Sequence, residues 1–320
     1  MIKANKTLKG IIGAVAMGLS FSATSALASD FDNDGTDDYF VHRPVDTAEG
    51  NVPTFYLIPS GTPSNSVGLQ WGLSGDTPVA GNFSRTTGAD VTVFRPSFGI
   101  WFIREWNAPL TFATSSAYQW GLDGDIPSGC DFNGDSIDDL TVYRPSNGTW
   151  YIRNSATSGT SFSTGSTQQW GLADDTPVAA DYDTDGECDH AVYRDGDWYI
   201  IPSSVSGNTG AVLAWGSSDD TPISGAFDSD SIRDLAVFRV ANGAGFFIIR
   251  HSTLAGLTSS TFSWGLDGDV PVVLDLDGDN QDDVVVFRPS NGTWYARTSS
   301  SSYASSVSQA FGLNGDTPLN

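Results

Sequence analysis

Apolar residues in this chain fall in short runs, each closed by an arginine. Val284-Val285-Val286-Phe287 precedes Arg288, Leu140-Thr141-Val142-Tyr143 precedes Arg144, and Leu235-Ala236-Val237-Phe238 precedes Arg239. A turn such as Pro145-Ser146-Asn147-Gly148 follows, then an alternating segment such as Thr149-Trp150-Tyr151-Ile152-Arg153. Asn-Gly between alternating apolar segments is a strong hairpin signal. No window sustains a helical period, because Gly, Ser and Pro interrupt all of them. A Ser/Thr/Gly-rich stretch of variable length then leads to a Trp-Gly pair.

The pair recurs at a spacing near 50 residues: Trp71-Gly72, Trp120-Gly121, Trp170-Gly171, Trp215-Gly216, Trp264-Gly265 and the variant Phe311-Gly312. Asp-x-Pro follows each time, at Asp76, Asp125, Asp175, Asp220, Asp269 and Asp316, and the arginines Arg43, Arg95, Arg144, Arg194, Arg239 and Arg288 keep the same step. Such a period marks a repeat architecture. Each unit reads as four short strands. In the third these are 126–129, 140–144, 149–153 and a strand ending at either Trp120 or Trp170. The expectation is an all-β, six-bladed β-propeller of four-stranded antiparallel blades. The ends match an internal joint: Pro318-Leu319-Asn320 joined to Ser29-Asp30 has the length of Pro177-Val178-Ala179-Ala180-Asp181. The C-terminal strand should therefore close the ring by joining the first blade.

Residues 1–28 read as a secretory signal peptide. Lys3, Lys6 and Lys9 precede an apolar run from Ile11 to Phe21, and Ala26-Leu27-Ala28 offers a small-residue cleavage pattern. The propeller then spans 29–320, and no later stretch is long and apolar enough to cross a bilayer. Export is expected, to the medium, the periplasm or the cell surface. Removing three Lys and no acid takes the formal charge from -23 to -26. Such a chain does not bind nucleic acid or anionic lipid through charge; it attracts cations. Cys130 and Cys188 are the two cysteines. An oxidising compartment permits a bridge between them, and two isolated thiols are the alternative.

The acids cluster in nine-residue loops just ahead of an apolar run. In 275–283 they stand at positions 1, 3, 5 and 9, and the pattern returns in 30–38, 131–139 and 181–189. Oxygen donors converging in this way suit Ca²⁺, and without a cation the carboxylates would repel one another. Position 12 of the first loop is Val41, in a strand, so this is not an EF-hand.

With Trp-Gly or Phe-Gly upstream, these loops resemble the FG-GAP (VCBS-like) repeats of integrin α-chain propellers. The Arg-Pro-Ser-Asn-Gly-Thr-Trp-Tyr units at 144–151 and 288–295 are similar to bacterial secreted repeat proteins. Integrin propellers have seven blades, where six are counted here. The resemblance implies about four calcium ions, with side-chain ligands at loop positions 1, 3, 5 and 9 and a backbone carbonyl at 7. Those residues are Asp30, Asp32, Asp34, Thr36 and Asp38; Asp131, Asn133, Asp135, Ile137 and Asp139; Asp181, Asp183, Asp185, Glu187 and Asp189; and Asp275, Asp277, Asp279, Gln281 and Asp283. The second loop, with Asn82, Ser84, Thr86 and Asp90, is expected to bind nothing. The fifth has Ala226 at its first position, keeps Asp228, Asp230 and Asp234, and gains Arg233, so its metal should be weakened or lost.

The recurring Arg and Asp-x-Pro acids suit bidentate pairs, and the repeating Trp suit blade cores. Trp106, Glu105 and Arg85 break the pattern in the second repeat and are candidates for ligand binding. His42, His190 and His251 lie in different repeats, and neither a nucleophile elbow nor a zinc-ligand spacing appears. The expected function is non-enzymatic: a secreted, monomeric, calcium-binding adhesion module for an extracellular glycan or protein. A polysaccharide-active lyase or hydrolase and a structural matrix protein are the alternatives.

Overall fold

The computed structural model of the chain describes residues 29–46, 50–60, 66–84, 88–107, 111–156, 161–207, 209–230, 232–252 and 258–319. The expected signal segment, Arg85 and Thr86 lie outside the described residues. The strands form six separate four-stranded antiparallel sheets, the blades of a β-propeller. In sheet order, blade 3 consists of Ile126–Cys130, Asp139–Arg144, Thr149–Arg153 and Ser166–Gln169. Its fourth strand is therefore the one that leads into Trp170, not the one before Trp120. Blade 2 (Thr77–Val79, Val91–Arg95, Ile100–Asn107, Thr111–Gln119) and blade 6 (Val270–Leu274, Asp283–Arg288, Thr293–Arg297, Ser306–Ala310) follow the same order. So do blade 4 (Thr176–Pro177, His190–Arg194, Asp197–Ile201, Ala211–Ala214) and blade 5 (Thr221–Gly225, Asp234–Ala241, Ala244–Arg250, Ser259–Leu266). Blade 1 takes its first strand, Thr317–Leu319, from the C-terminus and adds Tyr39–Asp46, Val52–Ile58 and Val67–Gln70. Among the described residues the only helical element is the 3-10 turn Ser299–Ser301.

Burial follows the position of a strand within its blade. The second strands are apolar on both faces because a neighbouring blade covers each face, and in Val91–Arg95 every residue before the arginine is buried. Outer strands such as Val67–Gln70 alternate between half-buried and exposed, as expected of a sheet edge with one wet face. The strand-3 tryptophans Trp101, Trp150, Trp198 and Trp294 are fully buried. Each donates its indole N–H to the carbonyl of the residue before the linker glycine, Trp120, Trp170, Trp215 and Phe311 respectively. The Trp-Gly tryptophans reach the other way. Trp71, Trp120, Trp170, Trp215 and Trp264 donate to strand 3 of the next blade, at Phe102, Tyr151, Tyr199, Ile248 and Tyr295. At about 1 kcal/mol each, these bonds rivet consecutive blades. Phe311 has no side-chain N–H, and at the closing joint it packs against the buried cluster that includes Val41, Phe287 and Trp294 instead.

The turns hold the linkers close. Gly148 has φ +63°, and a Cβ there would sit 2.1 Å from the Gly171 carbonyl oxygen. Only glycine fits this Asn-Gly corner, where backbone passes against backbone.

All six Asp-x-Pro acids are paired with a blade arginine. In five blades the pair is local, such as Arg95 Nε to Asp76 Oδ1 and Arg95 NH2 to Asp76 Oδ2, both at 2.7 Å. The sixth, Arg43 to Asp316 at 2.7 and 2.8 Å, joins residues 273 apart and fastens the closing strand. The second oxygen of each acid also accepts a linker N–H, as Asp125 does from Leu122 at 2.8 Å. Five of the arginines lie over an aromatic ring of the neighbouring strand, Arg144 4.0 Å from the Tyr151 centroid. Both oxygens of each of these carboxylates are thus engaged within its own blade and linker.

Cys130 and Cys188 form a disulfide between blades 3 and 4, with Cα atoms 6.1 Å apart. Arg288→Ala leaves Asp269 buried without its partner, since that side chain is 1% exposed. It should cost roughly 3–5 kcal/mol in a denaturant titration; a loss below about 1 kcal/mol would show the pair to be incidental. The disulfide closes a sequence separation of 58 residues, for which loop entropy gives about 4 kcal/mol. A Cys130→Ala/Cys188→Ala double variant should therefore melt clearly below the parent, and an equal midpoint would contradict this.

Candidate metal centres

The acid loops connect strand 1 to strand 2 in each blade, and their ninth residue opens strand 2 or stands immediately before it. That residue is an aspartate in all six blades, fully buried: Asp38, Asp90, Asp139, Asp189, Asp234 and Asp283. In five blades one oxygen accepts the N–H of loop position 2, from Phe31, Phe132, Tyr182, Phe227 or Leu276. The other accepts an N–H just past strand 3, from Ser60, Ser155, Ser203, Ser252 or Ser299. In blade 2, Asp90 takes the N–H of Trp106 and the hydroxyl of Ser84. Position 9 is thus first a structural clamp, which explains its presence in loops that lack the other acids. Burial raises Asp38, Asp90, Asp139 and Asp283 to about 7 and Asp189 to about 6.

The remaining acids shape the loops. Position 1 is a hub: Asp275 accepts Gly278 N–H at 2.7 Å and Asn280 N–H at 2.8 Å, and Asp131 accepts Gly134 at 2.7 Å and Ser136 at 2.6 Å. Asp30 and Asp181 do the same for their loops. Position 5 accepts the N–H of position 7, so that Asp34, Asp135, Asp185 and Asp279 bond Thr36, Ile137, Glu187 and Gln281. The serines after strand 3 complete the ring from outside, with Ser155, Ser203 and Ser299 hydroxyls 2.8–2.9 Å from Asp135, Asp185 and Asp279. Sequence reasoning missed these serines; their signal is the fixed step past strand 3.

Carboxylate oxygens converge to within 4.8 Å of one another in three loops: Asp30/Asp32/Asp38, Asp181/Asp183/Asp189 and Asp275/Asp277/Asp279. Asp32 Oδ1, Asp135 Oδ2 and Asp183 Oδ1 are buried and accept no hydrogen bond from the described residues. A buried anionic oxygen without a donor is costly unless a cation reaches it. The third loop differs in one group. Asn133 turns its Nδ2 to Asp139 Oδ1 at 3.2 Å; reversing the amide would offer its oxygen to the loop centre.

Several candidates stand elsewhere than their spacing suggested. Trp106 is buried against Phe31 and Phe40 in the core between blades 1 and 2, so it offers no platform for a ligand. Apolar neighbours from the first loop claim it. Glu105 is tied to Thr114 across its hairpin. Arg233 pairs with Asp282 of blade 6 at 2.9 Å. His42 and His190 are core rings, packed at a tilt against Phe55 and Phe132 and lowered to about 4 by burial. His251, in contrast, meets the fifth loop, with Nδ1 3.2 Å from both Asp228 and Asp234.

Loop position 8 joins neighbours around the ring. The N–H groups of Asp37, Asp138, Cys188 and Asp282 each donate to the position-1 carbonyl of the preceding loop, at 2.7 Å. The Asp37, Asp138 and Asp282 carboxylates accept the position-1 N–H in return. At the fourth loop Cys188 occupies this place, and the disulfide substitutes for the returned hydrogen bond.

Compared by sequence, the chain matches no family model and no curated protein. Compared by structure, it is similar to a Bacteroides caccae protein of unknown function (10% identity, 82% of this chain and 83% of that one, TM-score 0.40). A Lactobacillus plantarum protein has 17% identity over 84% and 82%, TM-score 0.46. A Bacteroides uniformis protein provisionally named a 6-phosphogluconolactonase has 9% identity over 88% and 97%, TM-score 0.44.

The buried position-9 acids set a pH dependence. Their folded pKa lies above the unfolded value, so the folded chain holds more protons between about pH 4 and 7. Their contribution is full below pH 4 and is lost as pH rises towards 7. In EDTA, the melting midpoint should fall across that window. A midpoint that climbs from pH 4 to 7 would contradict the burial argument.

Proposed function

We propose that the chain is a calcium-stabilised binding propeller of the FG-GAP/VCBS-like kind, exported from the cell and without catalytic activity. The observation that carries this is the convergence of carboxylate oxygens in loops 30–38, 181–189 and 275–283, with Asp32 Oδ1 and Asp183 Oδ1 buried and unbonded. Asp and Asn oxygens are hard donors, and a six- to eight-coordinate cation is the natural occupant. Calcium would relieve repulsion among acids that the clamp at position 9 forces together. Because it binds only the folded loops, it would stabilise the ring by linkage.

The opposite face supports a protein partner. The Trp-Gly linkers there end in leucines, Leu73, Leu122, Leu172 and Leu313 at 57% exposed and Leu266 at 48%. They recur once per linker in five of the six linkers, around the rim that also carries the arginine turns. A regular apolar rim favours a protein surface over a sugar, whose usual platform is an open aromatic face. The tryptophans here are committed to the blades by their indole bonds. Adhesion is the role that this combination fits.

Calorimetric titration of the chelated chain should give about four calcium equivalents and a raised melting point. Asp32→Asn should remove one equivalent. Six equivalents, or none, would refute the assignment. A glycan panel assayed for reducing-sugar release should stay silent; turnover would establish the enzyme alternative instead.

A further inference from the structure

The fifth loop has lost its first carboxylate to Ala226, and a side chain from another element has entered. His251 follows the third strand of blade 5, and its Nδ1 stands 3.2 Å from Asp228 Oδ2 and 3.2 Å from Asp234 Oδ2. One donor atom from each of the three residues lies within 4.8 Å of the others. Nε2 is 2.8 Å from Ser260 Oγ, the kind of outer hydrogen bond that fixes a ligating imidazole and its tautomer. Asp230 lies close enough to interact with Asp228 and His251. Its Oδ2 is buried and takes no hydrogen bond from the described residues. Asp234 is fully buried, His251 is 12% exposed and Asp228 is 24% exposed, so the cluster has a wall, a floor and an entrance. The guanidinium that could have neutralised it is committed to Asp282.

We infer that Asp228, Asp234 and His251, with Asp230 beside them, form a site for a borderline transition dication such as Zn²⁺ or Co²⁺. Ligand bonds of about 2.1 Å place two donors about 3.0 Å apart at a right angle and about 3.4 Å apart at a tetrahedral angle. The observed 3.2 Å lies between them. A neutral imidazole nitrogen favours such ions, whereas Ca²⁺ takes oxygen and prefers the loops that kept all their acids. Blade 5 has therefore changed the metal it selects.

The test uses the full chain, stripped with EDTA, dialysed, and titrated with CoCl₂ in excess CaCl₂ so that all-oxygen loops are blocked. Calorimetry should show one Co²⁺ equivalent that survives the calcium, with visible d–d bands. His251→Ala should abolish that equivalent, and Asp228→Asn should weaken it by more than about tenfold. Asp228 is partly exposed, so its variant should keep the parent near-ultraviolet circular dichroism and separate ligand loss from unfolding. Unchanged cobalt uptake in His251→Ala overturns the proposal. So does the absence of uptake by the parent, in which case His251 serves only as a hydrogen-bond partner of the two acids. The result is independent of whether the other loops take calcium, because it is read from the His251-dependent equivalent alone.

Discussion

One buried carboxylate per blade holds this molecule in shape. The aspartate at the start of each second strand, or just before it, ties its loop to the third strand through backbone N–H groups. An N–H with no acceptor in such a place would cost about 1–3 kcal/mol, and a neutral isostere would bond less strongly than an anion. Burial in turn opposes the charge and pushes these acids above the ordinary carboxylate range. The loops above them inherit the tension: further acids are gathered round an already buried anion. Calcium, as proposed, would relieve that repulsion in the loops with the most acids.

Around the ring, each joint combines the same few links. Position-8 backbone bonds join loop to loop on one face, and indole N–H bonds join linker to blade on the other. Variation is local and compensated. Cys188 replaces an aspartate and returns a covalent bond, and Arg233 replaces one and returns an ion pair to blade 6. Phe311 gives up the indole bond at the joint where the C-terminal strand and the Arg43–Asp316 pair already hold the ends together. No single joint carries the closure.

The fold was legible because the repeat states it six times. Trp-Gly, Asp-x-Pro and the strand-closing arginine recur in step, and hydrogen bonding makes partners of residues that share a step. The ends announced their own pairing by length. What spacing could not show was direction. Trp106 stood out as a candidate for ligand binding because it breaks the repeat, yet it fills space between blades 1 and 2. Arg233 adjoins the acids in sequence, but its long side chain reaches the next blade. His251 lies well outside the nine-residue loop and enters it only because strand 3 ends beside that loop. The acid loops were legible as a pattern of oxygens, while the clamp made by position 9 required the partner strand to be seen.

The most direct measurement is a crystal structure of the chain grown in calcium, with anomalous scattering to locate the ions. The account predicts density in loops 30–38, 131–139, 181–189 and 275–283, coordinated by positions 1, 3, 5, 7 and 9, and none in loop 82–90. Ordered water at those four centres, or an ion seated in the second loop, would contradict it.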